Sequence, residues 1–123
     1  MSSAAAVLES PRPAAPARPI DLVHLARRSS GDRALEREIL AIFRRQTRLF
    51  MFRLEATTDP AGRAEVAVAL SGSARGIGAW RVAAAAEALE EAARRRAGLG
   101  HAMEEVAEAV AEAGSEIDLL LAA

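Results

Sequence analysis

His24 and His101 are the only imidazoles in a chain of 123 residues that has no cysteine and no tyrosine, so its stock of side-chain nucleophiles is short. Without a thiol there is no disulfide, no cysteine catalysis and no zinc-finger ligand set. Neither histidine sits in a frame that would build a site around it, and both read as surface or helix-end residues. The carboxylates Glu104, Glu108, Glu112 and Glu116 recur every four residues. That spacing lays an acidic ridge along a helix, not the convergent pair that acid–base chemistry or a metal ion requires. Residue type and spacing meet more usefully at Val68, Ser71, Gly72 and Arg75, which lie three, four and seven positions from the first and so share one helix face. There Arg75 can contact a phosphate, Ser71 can donate one hydrogen bond to it, and Gly72 leaves the backbone open to an incoming partner. Val68 has no lone pair and nothing to ionise, so this face can bind but cannot be covalently modified at its first position.

The same face lies in a longer pattern. Leu70, Gly72, Ser73, Ala74, Gly78 and Ala79 occur in that order, preceded by Asp21-Leu22 and by Gly31-Asp32 at the start of a long helical stretch. From Pro19 to Ala122 the chain resembles the histidine-phosphotransfer (Hpt) domains. In that family the phosphoaccepting His stands two residues before the Leu, and a Lys directly follows it; here those places hold Val68 and Ser71. Relay in the family is attack by a neutral imidazole nitrogen on a partner's aspartyl phosphate, with alignment and charge stabilisation supplied by the neighbouring face. The resemblance therefore implies a degenerate, pseudo-phosphotransfer module of two-component signalling that is not an enzyme and carries no cofactor or metal. It would dock the receiver domain of a response regulator, or a histidine kinase, and act by occupancy. The docking surface expected from it is Ala64, Val68, Ser71, Gly72 and Arg75, with Arg48 and Phe52 from the preceding helix. Two other readings stand beside this one: a structural bundle whose small-residue strip packs against a second copy, and an altered version of a competent phosphotransfer protein.

These residues need helices to position them, and the apolar spacing is helical throughout. Aromatic residues make up 3% of the chain and β-branched residues do not run together, which argues against a sheet. A short helix is expected over 20–29, capped near Asp21 and burying Leu22, Val23, Leu25 and Ala26. A long one follows from about Arg33 to Ala56 with Asp32 as its N-cap. Its inner stripe is expected to be Leu35, Ile39, Ile42, Phe43, Gln46, Leu49, Phe50 and Leu54, leaving Arg37, Arg44, Arg48, Met51 and Phe52 outside. Asp59-Pro60 caps and opens a third helix. With Leu70 at the centre of its inner side, Val66, Ala67, Ser73, Ala74 and Ile77 point inward, and Ala61, Ala64, Glu65, Val68, Gly72 and Arg75 point outward. A break is expected near Gly78. Beyond it a fourth helix, about 80–96, buries Val82, Ala85, Ala86, Leu89, Ala92 and Ala93. Gly98-Leu99-Gly100 reads as a turn before a last helix, about 101–121, that buries Val106, Val110, Ala113, Ile117, Leu120 and Leu121. The fold expected is all-α: an antiparallel four-helix bundle of Hpt type with a short extra N-terminal helix.

Composition narrows the partners. A formal net charge of −1 provides no global field toward nucleic acid or anionic lipid, and all sixteen basic side chains are Arg. No apolar run reaches the length of a membrane span. A cytoplasmic monomer without nucleic-acid or membrane partners is the expectation. Residues 1–18, with Pro11, Pro13 and Pro16, read as a flexible Ala/Pro-rich tail, and 19–123 as one helical domain.

Overall fold

The computed structural model describes residues 18–123, and over that span the chain is all-helical, with no strand. Five helices follow one another: α1 (Leu22–Ser29), α2 (Arg33–Ala56), α3 (Pro60–Ile77), α4 (Trp80–Arg95) and α5 (Leu99–Ala122). The tail expected over 1–18 lies outside the described residues except for Arg18, which pairs with Glu116 of α5 at 2.6 Å.

Each start and stop has a local cause. Oδ1 of Asp21 accepts from the backbone N–H of Val23 and of His24, Oδ1 of Asp32 from that of Leu35, and Oδ2 of Asp59 from that of Gly62, so three helices begin on an aspartate cap. Pro60 follows its cap at the first helical position, where a missing N–H costs nothing. Gly78 ends α3 at φ 85°, a left-handed conformation that suits glycine, and a Cβ there would stand 3.1–3.2 Å from Asp21 and His24. The Gly98-Leu99-Gly100 turn is shorter than expected: Gly98 alone turns, at φ 71°, and α5 already starts at Leu99.

Around the core, α3 packs on α2 and α4, and α5 packs on α4 and α2, so the four long helices touch in a closed ring. Ile20, Leu54, Leu70, Leu89, Ile117, Val82 and Val106 are its most completely enclosed apolar side chains. Between α3 and α4 the facing positions are mostly alanine (Ala67, Ala74, Ala83, Ala86), which lets the helices approach closely. Short α1 lies across α2 and α3; its Ser29 hydroxyl donates to Oε2 of Glu36 on α2 at 3.0 Å, and its start is fastened at Asp21. There the Asp21 N–H donates to the Gly78 carbonyl at 2.9 Å, and the Trp80 indole N–H donates to Oδ2 of Asp21 at 2.8 Å. The Trp80 hydrogen bond, joined by the backbone N–H of His24, holds the Asp21 carboxyl below the usual carboxylate range.

Two expected faces are rotated. In α1, Val23 and Ala26 are exposed while Leu25 and Ser29 are buried. In α2 the buried line is Leu40, Phe43, Thr47 and Leu54, and Leu35, Ile42, Gln46 and Leu49 lie exposed. Met51, expected outside, packs against the core. On the side of α2 that meets α5, Arg44 reaches over it to Asp118 in a two-pronged ion pair of 3.0–3.1 Å, and Arg37 donates to the carbonyls of Leu120 and Leu121. The buried line of α2 is the one packed against α3 and α5, and that packing leaves the Leu35 side uncovered.

Candidate functional site

On α3 the outward face consists of Ala61, Glu65, Val68, Gly72 and Arg75, all exposed. Val68 is 47% exposed, an aliphatic side chain presented to solvent two positions from the fully enclosed Leu70. The helical repeat explains the contrast, since two residues turn the chain through about 200°. Next to Val68, one turn on, the space above Gly72 is clear: a Cβ built there meets nothing within 4 Å.

Two residues expected on this face are not on it. Ala64 is fully buried, and Ser71 is 7% exposed. Both lie on the flank of α3 that meets α4, and the close approach of these alanine-lined helices covers a wider arc than the pattern of α3 alone suggests. The Ser71 hydroxyl donates to Oε2 of Glu87 on α4 at 3.3 Å, and that same carboxylate holds Arg75 in an ion pair. Glu87 is the participant that sequence reasoning missed. It is sixteen residues from Ser71, and nothing in the local pattern of either helix announces their meeting. Its effect on the site is electrostatic: Arg75, the cation of this α3 face, is already paired with an anion, which weakens its pull on a phosphate.

The two histidines stand elsewhere. Nε2 of His24 lies 3.2 Å from the Gly76 carbonyl and its ring meets Trp80 edge-on at 5.0 Å, which makes it part of the α1 fastening. His101 is exposed on the first turn of α5, 3.9 Å from Glu105, on a helix that packs on α2 and α4 and not on α3. Ser73 is half-buried. The acidic ridge is divided, since Glu112 pairs with Arg81 and Glu116 with Arg18 while Glu104 and Glu108 remain exposed. Among the described residues no three His, Cys, Asp or Glu gather as metal ligands.

Beside this face runs the exposed side of α2, with Leu35, Ile42, Leu49 and Phe52 at 39–68% exposure and Arg48 exposed among them. A groove of about 390 Å³ joins the two helices, lined by Ile39, Ile42 and Gln46 from α2 and by Gly72, Ser73 and Gly76 from α3. The site is thus a mixed surface spread over two helices: Val68, Ile42, Leu49 and Phe52 are its exposed apolar groups, and Arg28, Gln46 and Ser73 line the groove between them. Among the described residues no helix is long and apolar enough to cross a membrane. No family model, no curated protein and no solved structure matches the chain.

Proposed function

We propose that this chain is a pseudo-phosphotransfer module of Hpt type: an antiparallel four-helix bundle with an extra N-terminal helix that docks a receiver domain or a histidine kinase and carries no phosphate. The observation that supports it most is the pairing of an outward Val68 with an unobstructed Gly72. A phosphotransfer frame would hold its imidazole at that spot and leave that gap for its partner. Here the spot holds an aliphatic group, which favours contact and forbids covalent transfer. Glu87 adds support, because its carboxylate on Arg75 opposes a second anion one to two turns from Val68.

The partner would cover Val68, Gly72 and Arg75 on α3 and Arg48 and Phe52 on α2, with burial of Val68 and Phe52 as the main driving term and the arginines orienting the approach. Function then follows from occupancy: a regulator held here is unavailable to an intact relay protein.

Titration of the chain against a panel of receiver and kinase domains, followed by calorimetry, tests this. A binder should lose affinity with Gly72→Arg and with Val68→Asp, both surface changes that leave the circular dichroism spectrum intact. A panel without any binder, or binding indifferent to both substitutions, would refute the docking reading.

A further inference from the structure

We propose that α2 also pairs with α2 of a second copy, antiparallel, about a twofold axis at Ile42. This inference stands apart from the docking reading and rests on the exposed side of α2. Leu35, Ile42 and Leu49 are 39%, 40% and 51% exposed, and they are spaced seven residues apart. At that spacing successive members drift by only about 20° around the helix, so the three form one straight apolar line of the kind that seams helices together. They are large side chains left uncovered by the fold, although α2 has a full core face on its other side.

The charges flanking this line say what covers it. Glu38 precedes Ile42 by four residues and Arg45 follows it by three, both on the outer edge, both exposed, and neither in an ion pair among the described residues. About Ile42 the order reads leucine, acid, isoleucine, base, leucine, with the leucines equidistant at seven residues and the opposite charges at four and three. A twofold contact places each residue a given number of positions before the axis opposite the residue that far after it. Leu35 then meets Leu49 of the other copy and Ile42 meets Ile42, while Glu38, four residues before the axis, and the other copy's Arg45, three after it, fall on the same edge within one residue of each other. An isologous interface requires this self-complementarity, and an unrelated partner does not. A parallel pairing would set Glu38 on Glu38 and Arg45 on Arg45, which like-charge repulsion disfavours.

The dimer would cover Ile42, Leu49 and the groove bordered by Gly72, beside the face assigned to the signalling partner. Self-pairing and partner docking would then exclude one another, and the concentration of the chain would set how much of it is free to bind.

Analytical ultracentrifugation of the full chain, from micromolar to near-millimolar concentration, reads the association directly. The expected result is a concentration-dependent dimer that Ile42→Asp weakens at least about tenfold, the scale of losing one central anchor. Glu38→Arg and Arg45→Glu should each weaken it, and the two together should restore it, because the reversed pair is again complementary. All are surface changes, and circular dichroism checks that each variant is folded. A chain that stays monomeric throughout, a dimer indifferent to Ile42→Asp, or a double reversal that fails to restore association would each overturn the proposal. None of these outcomes bears on whether a receiver domain binds, so the two readings fail separately.

Discussion

Truncating Val68 and Leu70 in turn separates an outward position from an inward one, two residues apart on one helix. Leu70 is fully enclosed, and replacing such a leucine by alanine costs about 2–5 kcal/mol, from lost transfer energy and the cavity left behind. Val68 is 47% exposed. Taking two methyl groups off a fully buried valine would cost roughly 1.6 kcal/mol, so about half that is at stake here. Alanine's better helix propensity returns roughly 0.5 kcal/mol, leaving a net change within about 0.5 kcal/mol of zero. Urea unfolding followed by circular dichroism measures both. The midpoint should fall sharply for Leu70→Ala and hardly move for Val68→Ala, at an unchanged slope. A loss above about 2 kcal/mol at Val68, or one below about 1 kcal/mol at Leu70, would refute the assignment of faces on which the site depends.

Two further outcomes follow from the fastening of α1 and from the α2–α5 contact. Because the folded Asp21 carboxyl titrates below its unfolded value of about 3.9, its stabilising contribution is complete above that pH and is lost as pH falls through the folded value. The stability gap between the wild type and Asp21→Asn should therefore narrow on acidification from pH 5 toward pH 2 in a series of urea titrations; a gap that stays constant would contradict the Trp80–Asp21 hydrogen bond as its source. At Gly114, a Cβ would collide with the Arg44 guanidinium, which lies over the helix on its way to Asp118. Gly114→Ala gains roughly 1 kcal/mol of helix propensity but displaces an exposed ion pair worth up to about 1 kcal/mol, so it should be close to neutral. In an Arg44→Ala background the same substitution should stabilise by about 1 kcal/mol, and a double-mutant cycle without this coupling would contradict the placement of Arg44.

What could be read from the residues, and what could not, divides along the range of the interactions. Asp21, Asp32, Asp59-Pro60 and Gly78 act on their own neighbours, and the helix limits they imply agree with the structure to within a residue or two. The inward side of α3 was legible as well, because Leu70, Ala74 and Ile77 leave one choice of centre. The rotation of α2 was not. Its sequence carries two apolar lines, Leu35–Ile42–Leu49 and Leu40–Phe43–Leu54, and only the packing of α3 and α5 against α2 selects the second for the core. Burial of Ala64 and Ser71 was hidden for the same reason. How far α4 covers the flank of α3 depends on alanines and on Glu87 in another helix, and no periodicity within α3 contains that information.

Phosphoryl transfer, measured side by side on the wild type and on two variants, tests most directly whether the missing imidazole at position 68 defines what this module does. Each chain is incubated with phosphorylated receiver domains that bind it, and acid-labile phosphate on the chain is counted. Val68→His puts a nucleophile on the exposed face with little change in helix propensity, and adding Glu87→Gln releases Arg75 to stabilise the transferred group. The expected result is no label on the wild type, label on Val68→His, and more label when Glu87→Gln is added. Acid-labile phosphate on the wild-type chain would contradict a docking module that carries none.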